Sequence, residues 1–286
     1  MKIGINSWSL PNDLSIEETF KLAKEAGFET IELNMTEEVK VESIVSDLGL
    51  EDNIHLTLNM REKELSKIKE LSIKYELPIT SIATALHWKY PLNDLDPTVR
   101  EQGKEVAKRM IEACHYLGGD TVLIVPGVVT KEREYEACYK LAKEAFVELA
   151  PYAKEKGIII GVENVWNKFL YSPLEMRQFI DEINHPNVGV YFDAGNVLQF
   201  GFPEQWVRIL NKRIAKVHIK DFNTNVGNIT GFTSLLSGSL DWTSLMTALR
   251  EIEYEGPLTA ELSPYTFAPD QLARDTAIAI KRIIEG

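Results

Sequence analysis

Asp193 and His218 each fall at or beside the end of a short apolar run, VGVYFD at 188–193 and IAKVHI at 214–219. Glu163 ends the run before them, in GVEN, and Glu261 stands in the run after them, in GPLTAEL. Three carboxylates and one imidazole offer hard oxygens and a borderline nitrogen, a donor set suited to Mn²⁺, Mg²⁺, Co²⁺ or Zn²⁺ with positions left open. No thiolate joins them, which argues against a closed structural zinc site. Taken singly, a strand-end Glu reads as a solvated loop carboxylate and a lone His as a hydrogen-bonded core residue. Four metal-competent side chains at the ends of four successive apolar runs point instead to one divalent ion.

That reading requires the runs to be neighbouring strands whose ends converge. Amphipathic segments repeatedly end in Gly and pass at once into a β-branched run: at Gly27, at Gly118 and Gly119, at Gly157 and at Gly256. Gly just past a helix supplies a left-handed cap and hands the chain to a strand. Ser15-Ile16-Glu17-Glu18 and Ser172-Pro173-Leu174-Glu175 read as capping boxes, and Asp96 and Asp241 as further N-caps. Apolar runs between these signals place eight strands near residues 3–8, 28–34, 79–84, 121–125, 158–163, 188–193, 214–219 and 257–262. Runs such as TVLIV and IIIGV fit strands buried on both faces, so the expected fold is α/β, a (β/α)8 TIM barrel forming a single domain over residues 1–286. A doubly wound open sheet is the competing architecture, but INSWSLPND after the first run is not a Gly-rich nucleotide loop. In a parallel barrel the C-terminal strand ends surround one pocket, the place the four donors need. Residues 51–60, EDNIHLTLNM, fit either an extra strand or a loop over the barrel mouth.

Composition narrows the partners. The chain has 286 residues and a formal charge of −12, which excludes a large nucleic-acid surface. Its two cysteines, Cys114 and Cys138, lie on inward helix faces and read as small buried apolar residues. No run reaches membrane-spanning length and MKIGINSWSL lacks a basic n-region, so a cytoplasmic protein with no membrane partner is expected.

The ordered set AGFETIEL, HWKYPLNDLDPTVREQG, GVEN, DAGN, KVHIKD and GPLTAEL resembles the xylose-isomerase-like barrel superfamily over nearly the whole chain. Within it the sequence is most similar to the sugar and sugar-phosphate epimerases of the L-ribulose-5-phosphate 3-epimerase type. The resemblance implies a metal-dependent isomerase or epimerase in which Glu163, Asp193, His218 and Glu261 hold one divalent ion. Glu163 and Glu261 would then flank the carbon whose proton moves, as base and acid for an enediolate. The implied partner is a small carbohydrate or sugar phosphate, and relatives form dimers or tetramers, so a homo-oligomer is an expected state. Endonuclease IV, in the same superfamily, needs several more His ligands than five histidines in total allow, and a DNA-binding face. A polyol dehydratase, a hydroxyaldehyde isomerase and a noncatalytic sugar-binding barrel are the alternatives.

Other strand ends supply substrate-contact candidates. Trp8 offers an apolar wall, Glu32 an acceptor and His87 a donor for hydroxyls. Asn196 stands where many relatives carry His, and Lys220 is an anchor for a hydroxyl or phosphate unless it pairs with Asp221. The loop at residues 227–242 leads into a helix whose backbone N–H groups could hold phosphate, although SGSLD carries no basic residue.

Overall fold

Alternation along each apolar run decides which side chains enter the barrel and which pack outside it. The computed structural model describes residues 1–38 and 55–286. Its strands are β1 (Lys2–Asn6), β2 (Thr30–Thr36), β3 (Leu56–Thr57), β4 (Ile79–Ala83), β5 (Thr121–Ile124), β6 (Ile159–Glu163), β7 (Val188–Asp193), β8 (Ile214–Ile219), β9 (Asp221–Phe222), β10 (Phe232–Thr233) and β11 (Pro257–Ala260). Eight run parallel in the order β1-β2-β4-β5-β6-β7-β8-β11, and β1 closes the ring by pairing with β11, Lys2 opposite Pro257 and Ile3 opposite Leu258. The fold is therefore the expected single closed TIM barrel with helices outside.

Within residues 51–60, positions 51–54 lie outside the described residues. Leu56 and Thr57 form the two-residue β3, which adds to the end of β2 through Met35 and Thr36. The segment thus supplies a short extra strand beside the barrel, and a turn follows it.

Period two is visible in the burial. Ile31 and Leu33, Ile160 and Val162, Val190 and Phe192, Val217 and Ile219 are all fully buried in the hydrophobic core, where the strands meet the helices. Phe192 stacks on Trp206 of the helix Pro203–Leu210. Each large apolar side chain buried this way contributes about 1.5–3 kcal/mol. The intervening residues of β2, β7 and β8 are polar and face inward: the Tyr191 hydroxyl reaches both Glu32 and Ser81 across the ring. Gly161 makes that crossing possible, because a Cβ there would stand 3.0 Å from the Cβ of Tyr191.

The helix signals hold with two differences. Ser15 and Glu18 form a reciprocal capping box, Asp96 and Asp241 cap their helices, and Gly27, Gly118 and Gly157 adopt positive φ. Ser172 accepts from the Leu174 N–H, but Glu175 is engaged by the Tyr135 hydroxyl, so the second half of that box does not form. Gly256 is not a left-handed cap; the helix Trp242–Glu251 ends before it and Glu253 takes the positive φ. Cys114 and Cys138 are buried free thiols. No described helix is long and apolar enough to cross a membrane.

Candidate metal centre

Strands β6, β7, β8 and β11 stand side by side in the barrel wall. Glu163 is the last residue of β6, Asp193 the last of β7, His218 the last but one of β8, and Glu261 follows β11 directly. Each presents one donor atom, and the four atoms lie within 4.8 Å of one another. His218 Nδ1 is 4.0 Å from Glu163 Oε1 and 3.9 Å from Glu261 Oε2. None of the four residues is more than 7% exposed. Among the described residues, His218 Nδ1 has no hydrogen-bond partner, and Asp193 Oδ2 takes none of good direction although the Lys220 ammonium stands 3.0 Å away. Buried polar atoms left in this condition are costly, and a cation at the centre would satisfy both. The residues present therefore fit a divalent ion.

The imidazole is oriented from beneath. His218 Nε2 donates to Glu32 Oε1 at 2.6 Å, which turns Nδ1 toward the carboxylates. Glu32 also accepts from the Tyr191 hydroxyl and from Asn6 Nδ2, and Asn6 is linked in turn to Asn34. Burial opposes charge on His218, but Glu32 and Glu261 outweigh it and push the metal-free imidazole up to about 10, so a divalent ion at Nδ1 would take the place of a proton there. Burial also opposes the Glu32 carboxylate, and the His218 charge more than compensates, holding it below its ordinary range.

The two glutamates stand in different fields. Burial first, and then the charge of Glu261, raise Glu163 well above the usual carboxylate range. Burial would raise Glu261 too, but Lys220 and His218 outweigh it and lower that carboxyl. Asp193 is raised chiefly by burial, with Lys220 opposing.

Two asparagines lock GVEN to DAGN. The Asn164 amide donates to the Asp193 carbonyl at 2.8 Å and accepts from the Asp193 N–H at 2.9 Å. Asn196 Nδ2 returns a bond to the Asn164 carbonyl, while Asp193 Oδ1 accepts the Asn196 N–H. Asn164 is a positioning residue not expected from the sequence; its one signal there is its place immediately after a donor residue.

A cavity of about 470 Å³ opens over the cluster. Glu163, Asn196, Lys220 and Glu261 supply its polar end, and Trp8, Trp88, Trp166 and Phe232 wall it. Trp8, Asn196 and Lys220 are thus placed where substrate contact was expected. Glu32 and His87 are not. Glu32 lies mid-strand because β2 runs on to Thr36, so its carboxylate is fully buried among His218, Tyr191 and Asn6. His87 sits beyond β4 in the short helix Leu86–Lys89 and turns outward to the Gly103 carbonyl at 3.2 Å; Trp88 faces the cavity instead. Lys220 does not pair with Asp221: its ammonium reaches Glu261 and Asp193, while the Asp221 carboxylate accepts the N–H groups of Phe222, Gly238 and Leu240. At the start of the helix that follows the loop, the Ser244 N–H is taken by its own N-cap, Asp241. Trp166 and Phe232 were not anticipated; the aromatic spacing that joins them, rings 5.3 Å apart, arises between the segment after β6 and β10, which are distant in sequence.

A family model described as xylose isomerase-like TIM barrel matches residues 20–283. The chain belongs to this family. Among family relatives, a Haemophilus influenzae protein, SgbU, whose name gives L-ribulose-5-phosphate 3-epimerase as an unconfirmed activity, is 24% identical over 267 residues, covering 91% of this chain and 88% of that one. An L-ribulose 3-epimerase from Methylomonas sp. strain DH-1 is 28% identical over 180 residues, 58% of each chain. Among solved structures, a D-psicose 3-epimerase crystallised in the presence of D-fructose superposes with a TM-score of 0.79 at 17% identity over 100% of both chains.

Proposed function

We propose that this protein is a divalent-metal-dependent sugar epimerase or isomerase, with Glu163, Asp193, His218 and Glu261 as its metal ligands. The observation that carries the reading is the convergence of these four donors, with unsatisfied buried atoms on Asp193 and His218 and with Glu163 and Glu261 lining an aromatic-walled cavity. The names of the relatives support a ketose 3-epimerase type of reaction. When bound, the ion supplies Lewis-acid stabilisation of negative charge on adjacent sugar oxygens.

The chain's own residues do the rest. Glu163 and Glu261 come from strands separated by β7 and β8, and both line the cavity, so they take and return the proton at one carbon of a ketose lying between them. Their unlike fields suit one to hold a proton while the other accepts one. Trp8, Trp88 and Trp166 present apolar faces to the sugar and exclude water, and Asn196 and Lys220 orient its hydroxyls.

Incubation with Mn²⁺ in deuterated water, with free ketoses and ketose phosphates as substrates, tests the reading. Deuterium should enter one carbon of a ketose, with inversion there for an epimerase and transfer of the carbonyl for an isomerase. Metal binding and sugar binding without exchange would instead identify a noncatalytic sugar-binding barrel, and loss of water from a polyol would identify a dehydratase.

A further inference from the structure

Lys220 occupies a position that contact with a sugar does not explain. Its Nζ is 2.6 Å from Glu261 Oε2 and 3.0 Å from Asp193 Oδ2, both residues of the donor cluster. Since the four donor atoms lie within 4.8 Å of one another, an ammonium between Asp193 and Glu261 stands at the edge of the volume that a divalent ion would fill. An ammonium and a divalent ion at such range in a buried site repel strongly. The backbone is shaped for this lysine: a Cβ on Gly195 would collide with Lys220 Cγ and with the Lys220 carbonyl oxygen. While it bridges the two carboxylates, Nζ also stands over the Phe232 ring, 5.0 Å from its centroid, a face suited to a cation that does not depend on them.

We propose that Lys220 is a built-in counter-cation, whose ammonium holds the Asp193 and Glu261 carboxylates together until a divalent ion enters, and then withdraws from them while keeping the Phe232 ring as its support. The inference rests on the metal reading of the cluster. Its consequence is that loading is an exchange of one cation for another, and that the ammonium, which already lines the cavity, is released from the carboxylates and free to face a sugar oxygen. Metal binding then precedes productive sugar binding.

Mn²⁺ titration of metal-stripped wild type, Lys220→Met and Lys220→Arg by calorimetry tests this, together with reductive dimethylation of the wild-type protein followed by peptide mass. Lys220→Met should bind Mn²⁺ at least about tenfold more tightly, because the competing charge is gone, while its metal-free form melts at a lower temperature. Lys220→Arg, which keeps the charge, should gain no affinity. In wild type, dimethylation of Lys220 should rise several-fold on saturation with Mn²⁺. Equal or weaker Mn²⁺ binding by Lys220→Met, or labelling of Lys220 that Mn²⁺ leaves unchanged or reduces, would overturn the exchange. Failure of wild type to take up Mn²⁺ at all is a different result, since it removes the metal reading and this inference with it.

Discussion

At His218 the nitrogen that faces the carboxylates is selected by a residue with no access to the cavity. Glu32 accepts the Nε2 proton at 2.6 Å and is itself held by Tyr191 and Asn6, so its negative charge fixes both ring orientation and tautomer. Glu32→Gln removes that charge and sets an amide N–H against neighbours that are themselves donors. Affinity for Mn²⁺ should fall about 10–100-fold in a calorimetric titration; unchanged affinity would show that His218 is oriented without this carboxylate. Asn164 is the matching device for Asp193, since one amide bridges the aspartate's own N–H and carbonyl. Asn164→Ala leaves both buried groups unpaired and should lower the unfolding free energy by about 2–4 kcal/mol in urea titration. The four donors were legible in the sequence because each is a polar residue out of keeping with the apolar run it ends. Glu32 was visible for the same reason, but its role was not: its partners His218 and Tyr191 lie 186 and 159 residues away, and only the closed ring brings them together.

Elements were legible wherever a local rule coincides with tertiary need. Buried parallel strands must be apolar and helices must stop before them, so β-branched runs and left-handed glycines gave the eight barrel strands nearly in place. Where tertiary partners compete, the local rule fails. Glu175 had the spacing of a capping box but goes to Tyr135 on a neighbouring helix. His87 had the position of a strand-end donor but lies in a helical turn packed on the helix Pro97–Leu117. Gly103 allows that approach, because a Cβ there would collide with the Tyr90 carbonyl. The packing has a measurable consequence. Burial lowers His87 from 6.5 to about 4, so between those values the unfolded chain binds a proton that the folded chain refuses. Stability attributable to His87 is intact above pH 6.5 and is lost as pH falls toward 4. His87→Gln, which keeps a donor for the Gly103 carbonyl, should lose roughly 2 kcal/mol less than wild type between pH 7.5 and pH 5 in urea titrations. Parallel losses in the two proteins would show that His87 titrates normally in the folded state.

Across the whole molecule, the four proposed ligands divide the ring unevenly. They come from β6, β7, β8 and β11, which are contiguous in the sheet, whereas β1, β2, β4 and β5 contribute none. An ion bound there ties together one half of the barrel at its mouth, and the other half is affected only through the β5–β6 and β1–β11 seams. Binding to the folded state alone stabilises it by mass action, about 2.7 kcal/mol at a hundred times the dissociation constant, which for a chain of this size is roughly 5 °C in melting temperature. Mn²⁺ should produce that rise, excess chelator should reverse it, and Asp193→Asn should abolish most of it. The distribution of the gain is the sharper test, because it follows from strand order and not from affinity. Amide hydrogen exchange on adding Mn²⁺ should slow most in residues 159–164, 188–197, 214–220 and 257–262, and little in residues 79–83 and 121–124, where the strands are equally buried but carry no donor. Equal slowing on both halves would mean that the ion stabilises the barrel as a single cooperative unit, and protection centred on β4 and β5 would place the ion away from these four residues.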